Sequence, residues 1–314
     1  MAKLIESLTV FFPAYNEEKN IAQCIEFAKK TLEKYAQKWE ILVIVYEGSI
    51  DKTIDVVTAY QTKDKRIRLI LQPKEQKGVG TAYLLGFKNA KYDAVFYSDS
   101  DNQFDITELK RFIPYIGDFD IIAGYRINRQ DPTARIWTSK LYNFFLRQLF
   151  PIKERDVDCA FRCVNKKIFN SFSIVSTTGL MTAEMLAKAR IAGYKITQIG
   201  VSHYPRTAGE ACFEMPAGLN VPKPKVVWEI VKEIIHLRKD IADFKRKCHY
   251  SSHKKRGGIQ TAMKTIKNNA LIFWHAVLFR RCPLCQSPIL EKDYPEELTQ
   301  YGICTNEHCT WGKH

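Results

Sequence analysis

The chain opens on an unbroken apolar run, "SLTVFFPAYN", that stops at a Pro-Ala turn. The period then changes. In "EEKNIAQCIEFAKKTLEKYAQ", Ile21, Cys24, Ile25, Phe27, Ala28 and Leu32 recur at three- and four-residue spacings. That spacing predicts a helix, with Asn16 as its N-cap and acids in its first turn. The alternation repeats. "WEILVIVYEGS", "IRLILQP" and "YDAVFYSDSD" predict further strands, with helices over "SIDKTIDVVTAYQTK" and "GVGTAYLLGFKNA" between them. The strands are continuously apolar, as expected where helices cover both faces of a mainly parallel sheet in an α/β fold. Ligands of such sheets bind beyond the carboxyl ends of the strands. The polar turns "PAYNEE", "YEGSID" and "DSDNQFD" are therefore expected to gather on one edge. Asp105 is expected to cap the next helix, near "ITELKRF".

After about Asn220 the pattern changes. Val227, Ile230, Val231, Ile234, Leu237, Ile241 and Phe244 fall on one helical face, with Glu229, Lys232, Glu233, Lys239, Asp240 and Asp243 largely elsewhere. A basic linker, "KRKCHYSSHKKRGG", leads to a second helical stretch over 259–279 and then a cysteine-bearing tail. The expected organisation is an α/β domain over 1–220, a basic amphipathic region over 221–280 and a small tail over 281–314. Charge sharpens this division. The net charge is +14, and residues 222–281 hold 15 Lys/Arg against 4 Asp/Glu, a net of +11. Such a segment attracts an anionic surface, whether lipid head groups, nucleic acid or polyphosphate. The apolar run "ALIFWHAVLF" has ten residues, too few for a span that needs about 20. The N-terminus lacks a signal-peptide pattern. The expectation is a cytoplasmic protein, soluble or peripheral on a membrane.

The nine cysteines separate into two groups. Cys24, Cys159, Cys163, Cys212 and Cys248 are scattered, and Cys159 reads as a packing residue. Cys282 and Cys285, then Cys304 and Cys309 after an 18-residue gap, have the spacing of a zinc ribbon. His308 is an alternative ligand. Four thiolates close the coordination sphere, so zinc here would be structural.

Asp99 and Asp101 stand two apart at the end of the fourth strand. Two carboxylates so placed can reach one hard cation, Mg²⁺ or Mn²⁺, which would bring a diphosphate as further ligand. Gln103 could add a neutral oxygen. A lone Asp-x-Asp is also common in ordinary turns.

"FFPAYNEEKNI", "YEGSIDKT", "YSDSDNQFD", "GYRINR", "DVDCAFR" and "GVSHYPRTAGE" occur in an order and at spacings that resemble glycosyltransferase family 2. They are more similar still to its polyprenyl-phosphate hexosyltransferase branch, which includes dolichol-phosphate mannose synthase. The resemblance covers roughly residues 5 to 215. It implies a GT-A (Rossmann-like) fold. It implies that Pro13, Ala14, Tyr15 and Glu17 cradle the base and ribose of a sugar nucleotide, a GDP- or UDP-hexose. The next turn is usually Asp-Asp-Gly-Ser; here it reads Tyr46-Glu47-Gly48-Ser49, with Glu47 keeping the charge and Ser49 beside it. Asp99, Asp101 and Gln103 correspond to the metal and diphosphate site. Arg126, Arg135 and Ser139 correspond to the acceptor-phosphate residues, and paired guanidinium donors suit a phosphate. Arg206 resembles a basic residue on a closing loop. Asp156 is expected to line the acceptor site, and Glu184 either orients an acceptor or is a helix-surface acid. Arg129 and Arg147 read as surface ion-pair residues.

The implied reaction is inverting transfer of a hexose to a polyprenyl phosphate at the cytoplasmic face of a membrane. A phosphate acceptor needs no strong base; a hydroxyl acceptor on a polysaccharide, glycolipid or protein would, with Asp156 or Glu184 as candidates. A zinc-ribbon nucleic-acid binder is the non-enzymatic alternative. It leaves the acidic strand ends unexplained, so nucleic acid is not the expected partner.

Overall fold

In the first strand, Leu8, Val10 and Phe12 enter one hydrophobic core while Phe11 enters another. The second strand does the same, with Ile41, Val43 and Val45 on one side and Leu42 and Ile44 on the other. A strand buried on both faces has no polar side to show, which is why these runs lack alternation. This is a computed structural model that describes residues 4–131, 133–206, 224–255, 289–290 and 303–304. The chain divides into two compact units, Met1–Lys245 and Arg246–His314.

The first unit is built on one seven-stranded sheet: β1 (Ile5–Ala14), β2 (Ala36–Tyr46), β3 (Ile67–Gln72), β4 (Ala94–Tyr97), β5 (Ile121–Ile127), β6 (Arg162–Asn165) and β7 (Ile196–Ser202). Their order is β3-β2-β1-β4-β6-β5-β7. All pairings are parallel except those of β6, which runs antiparallel to β4 and β5. The turn that enters β6 therefore lies at the edge where β4 and β5 end. Helices α1 (Ile21–Tyr35) and α2 (Thr53–Lys63) pack on one face through Ile21, Ile25, Leu32 and Val57. Helices α3 (Val79–Asn89), α4 (Thr133–Leu149) and α5 (Leu180–Ile191) cover the other through Phe87, Leu146, Met181 and Met185. A Cβ at Gly86 would stand 2.7 Å from the Phe11 ring, so α3 reaches the sheet this closely only because that position has no side chain.

Two local expectations need correction. Asn16 is not the cap of α1. It has φ 55, and the helix starts at Ile21 after Asn20, with no acid in its first turn. Asn16 Oδ1 instead accepts from the Ile50 N–H at 2.9 Å, tying the first strand-end turn to the second. Glu184 is not a surface acid. It is fully buried on α5, accepts the Val175 and Ser176 N–H groups at 2.9 and 2.8 Å, and pairs with buried Lys188. Asp105 does cap the following 3-10 turn, accepting from Thr107 N at 2.9 Å.

Helix α6 (Pro224–Lys255) is where a separate basic region was expected. Its Leu237 and Ile241 are buried in the second core, with Ile234 and Phe244 packed beside them. Phe244 meets the Phe172 ring at 5.7 Å. Two of its acids, Glu233 and Asp240, are anchors rather than a solvated face. Glu233 accepts from Ser176 and Thr178 hydroxyls at 2.7 and 2.8 Å, and Asp240 reaches Lys188 at 2.6 Å. The helix up to Lys245 thus belongs with the α/β unit. Among the described residues no helix is long and apolar enough to cross a membrane.

In the second unit, β8 (Ile289–Leu290) pairs antiparallel with β9 (Ile303–Cys304). The ribbon expected over Cys282, Cys285, His308 and Cys309 otherwise lies outside the described residues.

Candidate active site at the carboxyl edge of the sheet

The three polar turns do converge. The turns after β1 and β2 are stitched together: Glu17 N donates to Thr53 Oγ1 at 2.9 Å and Glu18 N to Asp51 Oδ2 at 3.0 Å. Asn16 N reaches Ser49 Oγ at 3.5 Å. Tyr15 stands edge-on to Tyr46, ring centroids 5.7 Å apart, beside half-buried Pro13 and buried Ala14. Pro13 O accepts from Ser100 Oγ at 2.7 Å, which ties β1 to the Asp-x-Asp turn. Glu47 is half-buried and bonded through its N–H to Gln72 O at 2.9 Å. A Cβ at Gly48 would drive into the Tyr46 ring, so that turn needs glycine.

Asp99 and Asp101 end this edge. Burial, then the neighbouring Asp101 charge, pushes the Asp99 carboxyl up to about 7, against the pull of Arg126 and Arg206. Burial also raises Glu17 to about 7, although Asn20 donates to it at 2.6 Å. Such shifts mark a site with more negative charge than it can solvate. Arg206 offsets part of it, with Nη2 2.7 Å from Asp101 Oδ2 and Nη1 3.5 Å from Glu17 Oε1. Gln103 donates its N–H to Asp101 Oδ1 at 3.1 Å and its amide NH₂ to Tyr204 O at 3.2 Å. Its amide oxygen therefore remains available as a neutral ligand. These are hard oxygen donors around surplus negative charge, and they fit Mg²⁺ or Mn²⁺. Among the described residues no three His, Cys, Asp or Glu side chains form a ready-made cage. A cation here would take further oxygens from a diphosphate or water.

A basic cluster adjoins the acids. Arg126, at the end of β5, forks onto Asp156 through Nε and Nη2, both at 2.7 Å, and Asp156 also accepts the Arg126 backbone N–H at 3.2 Å. Burial alone would raise Asp156; Arg126 holds it below the usual carboxylate range. Asp156 is thus committed to aiming Arg126 and is not a free base. Ser139 Oγ, on α4, receives Arg126 Nη2 at 3.4 Å and Arg129 Nη1 at 3.0 Å.

Arg129 is therefore in the cluster, not on the surface. It is braced at 2.9 Å by Asp131, whose carboxylate is shielded from solvent and also faces His203 Nδ1 at 3.2 Å. Burial lowers His203 to about 4, so the imidazole is neutral at physiological pH. Arg135 is an exposed residue, 3.6 Å from Asp131, while Ser139 Oγ is reached by Arg126 and Arg129. Arg147 donates to the Glu154 and Arg155 carbonyls away from this site. Cys159 is fully buried, as a packing residue should be.

Sequence reading missed Arg129, Asp131 and His203. The signal was the charge pair in "INRQD" and the histidine in "VSHYPR", each uninformative until β5, α4 and β7 are brought together.

Residues 9–172 match the model of glycosyl transferase family 2. The chain is 30% identical over 169 residues to an undecaprenyl-phosphate 4-deoxy-4-formamido-L-arabinose transferase of Pectobacterium atrosepticum, covering 53% of this chain and 51% of that protein. It is 27% identical over 216 residues to the low-salt glycan biosynthesis hexosyltransferase Agl6 of Haloferax volcanii, covering 66% and 50%. The chain thus spans about half the length of these curated relatives. Among solved structures, glucosyl-3-phosphoglycerate synthase from Mycobacterium tuberculosis, in complex with Mn²⁺, UDP and phosphoglyceric acid, superposes with a TM-score of 0.55. It is 15% identical, with 75% of this chain and 78% of that one covered, a likeness of fold.

Proposed function

The chain belongs to glycosyl transferase family 2, and from that premise we propose that it moves a hexose from a sugar nucleotide, a GDP- or UDP-hexose, to a polyprenyl phosphate at a membrane surface. The observation that carries the acceptor class is Ser139 held between the guanidinium groups of Arg126 and Arg129, beside the acidic strand end. Arg126 spends Nε and Nη2 on Asp156 and Ser139, which leaves Nη1 for a phosphate oxygen. Relatives named for undecaprenyl phosphate support the same class.

Tyr15, Glu17, Glu47 and Ser49 would hold the nucleoside. Asp99, Asp101 and Gln103 would hold Mg²⁺ or Mn²⁺, whose contribution when bound is to offset charge on the departing diphosphate. Arg206, already on Asp101, adds a positive charge on that side. Arg126, Arg129 and Ser139 would orient the acceptor so that its anionic oxygen faces the anomeric carbon, which inverts on attack. No general base is needed, consistent with Asp156 being locked to Arg126. The test is a panel of sugar nucleotides with Mn²⁺ or Mg²⁺ and a polyprenyl phosphate, reading nucleoside-diphosphate release. The expected result is release that depends on the lipid phosphate; no release from any donor overturns the reading.

A lipid acceptor calls for a lipid-facing surface, and α4 supplies one. Trp137, Leu141, Phe144 and Phe145 are all exposed at spacings that put them on one helical face, with Lys140 Nζ 5.2 Å from the Trp137 ring centre. On α6, Trp228, Val231 and Ile235 are exposed in the same manner, with Lys232 over Trp228 at 5.5 Å. Aromatic side chains with adjacent cations suit an anionic interface. Ser139 lies on the same helix as the α4 stripe, on the opposite side, where it meets Arg126 and Arg129. Sedimentation with phosphatidylglycerol vesicles at low salt is expected to capture the chain. Trp137→Glu/Phe145→Glu should weaken capture by at least about 10-fold, from lost apolar insertion and added repulsion. No capture of the unaltered chain at low salt would refute this surface.

For the tail, we propose a structural Zn²⁺ held by Cys282, Cys285, Cys304 and Cys309. The short antiparallel pairing of Ile289–Leu290 with Ile303–Cys304, which carries one of the four cysteines, supports it. Metal analysis of Cys282→Ser/Cys285→Ser should show the zinc lost while nucleoside-diphosphate release is at least partly kept; zinc content unchanged would rule these ligands out.

A further inference from the structure

The turn that enters β6 is pinned on every side but one. Asp156 is held by Arg126, and Val157 N donates to Asn143 Oδ1 at 2.7 Å. The carbonyls of Val157 and Cys159 both accept from Arg162 Nη2, at 3.2 and 3.4 Å. Arg162 is itself fully buried, with Nη1 on Tyr97 Oη at 3.1 Å. Val157 and Cys159 point into the core. Asp158 is the residue between them, and its side chain is open to solvent with no hydrogen bond or ion pair to any described residue.

Protein crowds Asp158 closely enough that burial pushes its carboxyl up to about 6, with Arg126, Arg162 and Arg129 pulling the other way. Asp158 and Asp99 both act on the buried Tyr83 hydroxyl, and Asp158 also acts on Tyr142 of α4. The contacts of its turn place it: Asp156, two residues before, is held by Arg126, and Arg162, which holds the carbonyls on either side of Asp158, also holds Tyr97, two residues before Asp99, so Asp158 stands between the acidic strand end and the Arg126–Ser139 cluster. A hexose in transit must bridge those two places, because its anomeric carbon leaves one phosphate for the other.

We propose that Asp158 reads the transferred sugar, its carboxylate accepting hydrogen bonds from hydroxyl groups of the donor hexose. The proposal rests on the transferase reading above. The chemistry suits it: an ionised carboxylate only accepts, and a sugar presents donors. The mount suits it too, since a turn anchored through Arg162, Asn143 and Arg126 fixes where the acceptor oxygens stand. An acid on a rigid turn that spends no bond on its own protein is a specificity residue rather than a brace.

The experiment uses the full chain, the sugar nucleotide that the panel identifies as donor, and its singly deoxygenated analogues. kcat/KM is measured for the unaltered chain, Asp158→Ala and the isosteric Asp158→Asn. The unaltered chain should prefer the parent donor over at least one deoxy analogue by about 10- to 100-fold, the range of a hydrogen bond to a charged group. In Asp158→Ala that preference should collapse to nearly one. Asp158→Asn should retain part of it, and the nucleoside-diphosphate Kd measured with Mn²⁺ should not move in either variant. A preference unchanged in an active Asp158→Ala overturns the proposal alone. So does an equal loss on every donor with the acid limb of the pH profile gone, which would make Asp158 a general base for a hydroxyl acceptor. No turnover of any sugar nucleotide by the unaltered chain overturns the transferase reading, and this proposal with it.

Discussion

Asp101→Asn is expected to lower nucleoside-diphosphate release by at least about 1,000-fold, and EDTA is expected to do the same to the unaltered chain. The substitution keeps the shape of the side chain and removes its charge. Asp101 joins three roles at one carboxylate: it fixes the Gln103 backbone, receives Arg206 at 2.7 Å and raises Asp99. Without its charge, the site holds a divalent cation poorly and loses the carboxylate that receives Arg206 at 2.7 Å. Retention of full activity in either condition would remove the metal assignment.

The same acids predict a pH dependence. Asp99 and Glu17 are raised to about 7, so the folded protein binds protons there that the unfolded chain releases near pH 4. Their contribution to stability is complete below the ordinary carboxylate range and is lost as pH climbs through 7. A cation that takes the place of those protons reverses the loss, and its binding releases protons below pH 7. The gain in Tm on adding Mn²⁺ should therefore be larger at pH 8 than at pH 6. An equal gain at both would mean the cation binds elsewhere.

The first four strands and their polar ends were legible because continuous apolar runs punctuated by turns have few other readings. The Asp-x-Asp carboxylates stood out by their place at the end of the fourth strand, and their reading as a metal site came from the family resemblance. What was not legible has one physical cause: partners supplied from far along the chain. Glu233 and Asp240 look like a solvated helix face until Ser176, Thr178 and Lys188 are packed against them. That is why the helix after 220 read as a free basic element. Glu184 is uninformative in sequence, yet the fold closes the 175–176 turn on it. The contact of Arg129 with Ser139 was hidden for a similar reason. Spacing along α4 puts Arg135 one turn from Ser139, but Arg129 reaches that hydroxyl from the end of β5, and Asp131 braces it there. Pattern along one helix cannot report a contact made across elements.

Arg126→Ala is expected to reduce kcat/KM for polyprenyl phosphate by about 100- to 10,000-fold while leaving the affinity for nucleoside diphosphate nearly unchanged. The lower bound corresponds to losing one charged, bidentate-capable donor to a phosphate, the upper to losing the orientation of the acceptor as well. Arg126→Lys should recover little. One ammonium cannot span both Asp156 oxygens, reach Ser139 and still offer a donor to a phosphate. Asp156 supplies the decisive comparison. If its function is to aim Arg126, Asp156→Asn lowers kcat/KM through Arg126, and the double variant Arg126→Ala/Asp156→Asn is no worse than Arg126→Ala. The cycle is then strongly non-additive, as expected for side chains sharing two 2.7 Å bonds. If Asp156 were instead a base for a hydroxyl acceptor, the two losses would multiply and Asp156→Asn would lose rate even where Arg126 is already absent. The measurement separates a phosphate-binding site from a hydroxyl-activating one, because only in the first is the carboxylate useful through its partner.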